Sequence, residues 1–286
     1  MSKKLNNHKV FELTFNCDFD VNKFRISSKY PDFIIEKFSD KINRDNLDTW
    51  STLSLEKGII NNKNFYCEVT NGEKIRYSFT SDINLNKKTA KIFHQPLAYL
   101  LFQRNFFVLH GSAFSFNGKA IALCGLTGSG KSESIRAISK SFKYITDDII
   151  AIKCEKGKNI CYPGLPFICS EKGQKKYALD ELRNRSLLWV SDEHSECIGL
   201  ELEKIYFLDW GDENSIKNIK DEDAFKRLIP NSFRPLPFGS DNDSEVQYLD
   251  GISTILRNAE INVFFRKKGD IESSVNFLIN HLNDRK

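Results

Sequence analysis

The stretch GLTGSGKSES, Gly125 to Ser134, decides how the rest of the chain is read. Gly125, Gly130, Lys131 and Ser132 stand in the spacing G-x-x-x-x-G-K-S, the sequence signature of a phosphate-holding loop (Walker A). Glycines let the backbone bend until successive N–H groups converge on an anion. A helix that follows adds its N-terminal donors and its dipole. Lys131 supplies a point charge for the β- and γ-phosphates, and the Ser132 hydroxyl is a ligand type suited to Mg²⁺. The expected ligands are ATP and Mg²⁺. The residues expected to hold them are Gly125, Leu126, Thr127, Gly128, Ser129, Gly130, Lys131, Ser132 and Glu133.

The flanks agree with this reading. Before the loop, FVLHGSAFSF (107–116) and KAIALC (119–124) surround Asn117-Gly118, the pattern of two strands about a tight turn. After the loop, Ile135, Ile138 and Phe142 fall on one face at helical spacing, so a helix is expected from Lys131 to Phe142. YITDDIIAIKC (144–154) then reads as a strand, an aspartate pair and a second strand. Asp147 and Asp148 thus stand at a strand end, where neighbouring side chains point in different directions. One carboxylate can hold the metal of a nucleotide site. The other can take a proton from an attacking hydroxyl, and two like charges this close raise one pKa, which suits a base. His110, just before the strand pair that feeds the loop, is placed to tune a carboxylate or meet an acceptor.

Further out, KIYFLDW (204–210) and INVFFR (261–266) read as strands, 221–229 and 243–258 as helices, and DIESSVNFLINHL (270–282) as a closing helix. An earlier helix is expected at about 96–106, opened by Pro96. Residues 1–92 read as β-rich. VFELTFNC has Phe11, Leu13, Phe15 and Cys17 in alternation, and a hairpin is marked by Asn71-Gly72. Between Lys37 and Lys57 the polar sequence suggests a short helix or loop.

Composition bounds the function. The chain has 286 residues, 40% hydrophobic and 28% charged, as in a soluble globular protein. Its net charge of +4 is too small to argue for nucleic acid. The seven cysteines form no C-x-x-C pair, which points away from zinc sites and disulfide frameworks and towards reduced thiols in a cytoplasmic protein. No signal segment and no membrane-spanning run is read, so no membrane partner is expected.

Together, residues 109–152 resemble the HPr kinase/phosphorylase superfamily, which shares a fold with ATP-dependent phosphoenolpyruvate carboxykinases. The resemblance lies in the His-Gly opening, the Asn-Gly hairpin, the loop ending Gly-Lys-Ser-Glu and the Asp-Asp pair. Weaker similarity extends over 93–286. It implies an α/β (α+β mixed-sheet) fold in which residues 93–286 form a P-loop kinase domain; the β-rich residues 1–92 either form part of the acceptor site or only cover one face of the kinase sheet. It also implies roles. Lys131 and the loop hold phosphates; Ser132, Asp148 and Glu133 form the metal set. Asp147 is the base towards an acceptor serine with His110 beside it, and Arg234 and Arg266 stabilise charge in the transition state.

The signature of true HPr kinase/phosphorylases, of the Glu-Ile-Arg-Gly-Leu-Gly type, is missing. The chain is more similar to stand-alone HPr-kinase-like proteins, among them lasso peptide kinases, which modify the C-terminal serine of a precursor peptide. The expected activity is ATP-dependent phosphorylation of a serine in a peptide or small protein. The alternatives are a nucleotide-binding regulatory module and a small-molecule kinase. Lys23, Arg25 and Lys29 in the amino-terminal part could meet an acidic peptide, or simply form a solvated face. Related kinases form homo-oligomers, but no interface is specified here.

Overall fold

A computed structural model describes residues 6–39, 50–171, 185–234 and 242–284. It is a mixed α/β protein that divides into two compact units. The first comprises Met1–Val108, Cys169–Leu188 and Phe233–Leu249; the second comprises Leu109–Ile168, Trp189–Ser232 and Asp250–Lys286.

The first unit holds β1 (Asn7–Val10), β2 (Leu13–Cys17), β3 (Arg25–Ser27), β4 (Phe33–Lys37), β5 (Trp50–Leu53), β6 (Lys57–Asn62), β7 (Phe65–Thr70) and β8 (Lys74–Phe79), with helices α1 (Leu85–Ile92) and α2 (Gln95–Gln103). The strands make one sheet in the order β3-β1-β2-β4-β8-β7-β6-β5. Along β7 the burial alternates strictly, with Phe65, Cys67 and Val69 inside, because successive side chains of a strand face opposite sides. Helix α2 has Pro96 in its first turn and is buried from Pro96 to Phe102. The expected hairpin turn at Asn71-Gly72 is present, with positive φ at both residues. Gly72 is required there: a Cβ would lie 2.7 Å from Arg104 Cγ.

One expectation is corrected. VFELTFNC is not one strand; Phe11 and Glu12 form a turn with φ of 50° and 65° between β1 and β2. No glycine or asparagine marks it, and Phe11 is wholly buried, so core packing holds a backbone conformation that local propensity disfavours. Of the Lys37–Lys57 stretch, residues 40–49 lie outside the described residues, and Trp50–Leu53 are the strand β5. Helix α1, capped by the Asn84 side chain, had no counterpart in the sequence reading.

From β9 (Phe107–Leu109) the chain runs into the second unit. There follow β10 (Gly111–Phe116), β11 (Lys119–Cys124), α3 (Lys131–Ile138), β12 (Tyr144–Thr146), β13 (Ile150–Glu155), β14 (Lys158–Tyr162), β15 (Phe167–Glu171) and β16 (Arg185–Trp189). Next come β17 (Leu200–Gly211), β18 (Ser215–Asn218), α4 (Asp221–Leu228), α5 (Asn242–Asn258), β19 (Glu260–Lys267) and α6 (Ile271–Asn283). Elements β9, β15, β16 and α5 each span the division.

β10 and β11 form an antiparallel hairpin about Asn117-Gly118, both with positive φ. β12 pairs with the outer side of β10, while β17 lies parallel to β11 and β19 parallel to β17. One face of this β12-β10-β11-β17-β19 array is covered by α3 and α6. Ile135, Ile138, Leu278 and Leu282 pack there with Phe114, Leu123, Tyr206, Leu208 and Phe264. Except for Lys119, β11 is buried throughout, as a central strand covered on both faces must be. Helix α3 stops at Ile138, one turn short of the expected Phe142; Ser139–Phe142 continue as turns bonded back to its end.

Candidate functional site

The loop leaves the buried end of β11 and enters α3. Its three glycines, Gly125, Gly128 and Gly130, have φ of 152°, 84° and 79°, values that L side chains rarely adopt. Gly130 is also the N-cap of α3, so the free N–H groups of that helix open onto the loop. Lys131 is buried, and its Nζ donates to the Gly125 carbonyl (2.6 Å) and the Leu126 carbonyl (3.3 Å). Leu126, Thr127 and Gly128 are exposed at the tip.

Asp147 and Asp148 follow β12, two strands from β11. Both are buried. Asp147 Oδ1 accepts a hydrogen bond from Ser112 Oγ at 2.6 Å and lies 3.4 Å from Ser132 Oγ, its second donor. Asp148 has φ of 72°. Its backbone oxygen is 3.0 Å from His110 Nδ1 and its Oδ1 is 3.4 Å from the same nitrogen. The adjacent carboxylates are thus directed to different partners, one towards the loop serine and the other towards the histidine. The His110 backbone N–H donates to the Asn231 carbonyl at 2.7 Å, which ties its position to the short turn after α4.

Arg266, near the end of β19, completes the cluster from the other side. It is 1% exposed. Its Nη1 donates to Ser134 Oγ (2.8 Å), and Ser134 Oγ also donates to the Gly130 carbonyl. A Cβ on Gly130 would lie 3.4 Å from both terminal nitrogens of Arg266. The guanidinium stacks over the Trp210 ring, 4.7 Å from its centroid. Burial lowers the Arg266 pKa to about 10, an effect that the nearby Glu133 carboxylate partly opposes. Among the described residues, Arg266 Nε and Nη2 and Ser129 Oγ are buried without a hydrogen-bond partner. Unpaired buried donors are costly. Grouped around a glycine-rich cradle, they suit the oxygens of a phosphate chain. The donor set therefore fits a nucleotide polyphosphate, and Ser132 with Asp147 fits an accompanying Mg²⁺.

The structure thus brings together Gly125 to Glu133, Asp147, Asp148, His110 and Arg266. Glu133 is exposed on the first turn of α3. Arg234 is exposed and belongs to the first unit. The sequence reading missed Ser112, Ser134 and Trp210. Ser112 was legible as a polar residue inside an apolar strand. Ser134 and Trp210 gave no such signal, because their importance comes from Arg266, 132 and 56 residues away.

No family model matches the sequence, and no curated protein matches it. Among solved structures, one that matches is the Hpr(Ser) kinase/phosphatase from Coxiella burnetii. It is 10% identical, the match covers 62% of this chain and 97% of that one, and the TM-score is 0.37. Among the described residues, no helix is long and apolar enough to cross a membrane.

Proposed function

We propose that the chain is an ATP-dependent kinase of the HPr-kinase-like type, transferring the γ-phosphoryl group to a serine hydroxyl of a peptide or small protein. The observation that carries this reading is the cluster itself. A glycine-rich loop at a helix N-terminus lies between a pair of buried carboxylates and a buried arginine with two unsatisfied donors. A binding module needs the loop and one metal carboxylate; the second carboxylate, beside a histidine, is what a transferase needs in addition.

Phosphoryl transfer asks for positioning and charge neutralisation rather than covalent chemistry from the protein. Lys131 and Arg266 supply fixed positive charge, and the α3 N-terminus supplies N–H donors. When bound, Mg²⁺ would neutralise charge on the phosphate oxygens. The contact between Ser132 and Asp147 favours Asp147 for the metal side. The contact between Asp148 and His110 favours Asp148 for receiving the acceptor's proton. This reverses the order implied by the family resemblance. The acceptor we favour, from that resemblance, is the C-terminal serine of a lasso-type precursor peptide, in a cytoplasmic setting.

The test is a phosphoryl-transfer assay read by mass spectrometry. Purified protein and Mg²⁺–ATP are offered a precursor-type peptide ending in serine and, separately, HPr, with Lys131→Ala as the control. A peptide gaining one phosphate only with the wild-type protein supports the reading. Nucleotide binding without transfer to either acceptor overturns the peptide-kinase assignment in favour of a small-molecule kinase or a regulatory module.

A further inference from the structure

The order of strands gives the site a polarity. The aspartate pair stands at the end of β12, on one side of the loop strand, and Trp210 and Arg266 stand at the ends of β17 and β19, on the other. β12 and β17 are three strand spacings apart, about 14 Å. A nucleoside triphosphate is a linear molecule with its γ-phosphate at one end and its base at the other. With the γ-phosphate facing the carboxylates, a nucleotide lying along this edge of the sheet extends its base over β17 and β19.

Trp210 stands there. β11 ends level with Phe207, its partner on β17. β17 continues to Gly211, so Trp210 rises about 10 Å beyond the root of the loop. A Cβ on Gly125 would lie 3.0 Å from the Leu208 carbonyl, which sets this extension directly against the loop. Trp210 and Arg266 are cross-strand neighbours, and the guanidinium packs on the indole. Packed by a buried arginine on one side, Trp210 is still 37% exposed as a residue. A large aromatic ring held rigid on one side and open on another is a stacking platform.

We infer that Trp210 is the base-stacking residue of the nucleotide site, with Arg266 as the positioning residue that holds its ring. The ligand is the purine base of a nucleoside triphosphate whose phosphates lie in the Gly125–Gly130 loop. This inference rests on the phosphate-loop reading, and its test separates the two.

Affinities for Mg²⁺–ATP and for Mg²⁺–tripolyphosphate, which has no base, are measured by calorimetry on the full chain and on Trp210→Ala and Trp210→Phe. Base–aromatic stacking supports an expected loss of roughly tenfold to a hundredfold in ATP affinity for Trp210→Ala. Tripolyphosphate affinity should fall by much less than ATP affinity in that variant, since Trp210 also packs on Arg266, and the tripolyphosphate binding that remains shows that it is folded; an equal loss for both probes overturns the stacking role. Trp210→Phe should recover most of the ATP affinity. Intrinsic fluorescence gives a second readout: ATP but not tripolyphosphate should quench the wild-type signal, and the Phe variant should lose that quenching. Equal ATP affinity in Trp210→Ala and wild type overturns the inference and leaves the loop reading intact. Wild-type protein that binds neither probe overturns both.

Discussion

Replacing Arg266 with methionine separates a residue kept for the fold from one kept for an anion. The guanidinium is buried and its pKa is lowered from 12.5 to about 10. At about 1.4 kcal/mol per unit, the charged form costs up to roughly 3 kcal/mol in the folded state. That cost is full below about pH 10. It fades as pH rises from there towards 12.5, because the folded state gives up its proton first. Methionine removes the cost but also removes the hydrogen bond to Ser134, about 1.5–3 kcal/mol for a charged donor. The stacking on Trp210, about 0.5–2 kcal/mol, is lost as well. These terms nearly cancel, so the ligand-free stability of Arg266→Met should stay within about 2 kcal/mol of wild type.

Ligand binding has no such cancellation. Loss of a buried charge from a phosphate contact should weaken Mg²⁺–ATP binding by roughly 10- to 100-fold. At a nucleotide concentration of about 100 times the wild-type Kd, binding stabilises the wild type by about 2.7 kcal/mol. A variant with hundredfold weaker affinity gains only about 0.4 kcal/mol at that concentration. For a chain of this size, thermal unfolding should show a nucleotide-induced shift of about 5 °C in the wild type and under about 1 °C in the variant. A variant that keeps the full shift refutes a phosphate role for Arg266. A ligand-free Tm lower by about 8 °C or more would show that the guanidinium is primarily structural.

The two aspartates should separate in a metal titration. Asp147→Asn keeps an acceptor for Ser112 but loses its charge beside Ser132, so it should raise the Mg²⁺ concentration needed for nucleotide binding; Asp148→Asn should leave that unchanged and lower the transfer rate roughly 10²–10⁴-fold. The opposite result restores the role order that the family resemblance implies. Lys131→Ala should weaken nucleotide binding about 10- to 100-fold and lower turnover with it; unchanged affinity in calorimetry would remove the loop assignment. Ile135→Ala, in the core beneath α3, should cost about 2–5 kcal/mol in denaturant unfolding; a cost under about 1 kcal/mol would mean that α3 does not pack as described.

Local chemistry carried much of this protein into view. Gly125, Gly130, Lys131 and Ser132 announce the glycine-rich turn from strand to helix, because glycines let the backbone bend sharply while its N–H groups converge on one point. Asn71-Gly72 and Asn117-Gly118 announce their hairpins because both positions need positive φ. Alternation along β7 and the spacing of Ile135 and Ile138 disclose which sides are buried. These are short-range properties, and a sequence states them directly.

Phe11-Glu12 turns without any turn residue, because burying Phe11 outweighs an unfavourable backbone. Which aspartate faces Ser132 depends on how β12 meets β10, where the pairing register shifts between Ala113 and Phe114. Arg266 meets Ser134 and Trp210 only because β17 and β19 lie parallel in a fixed register. The sequence by itself determined the loop, its hairpin and the aspartate pair, since their geometry is set by neighbouring residues. The polarity of the site, with carboxylates on one side and Arg266 with Trp210 on the other, was decided by tertiary structure. It arises from the order in which distant strands pair, and long-range pairing leaves no local mark on the chain.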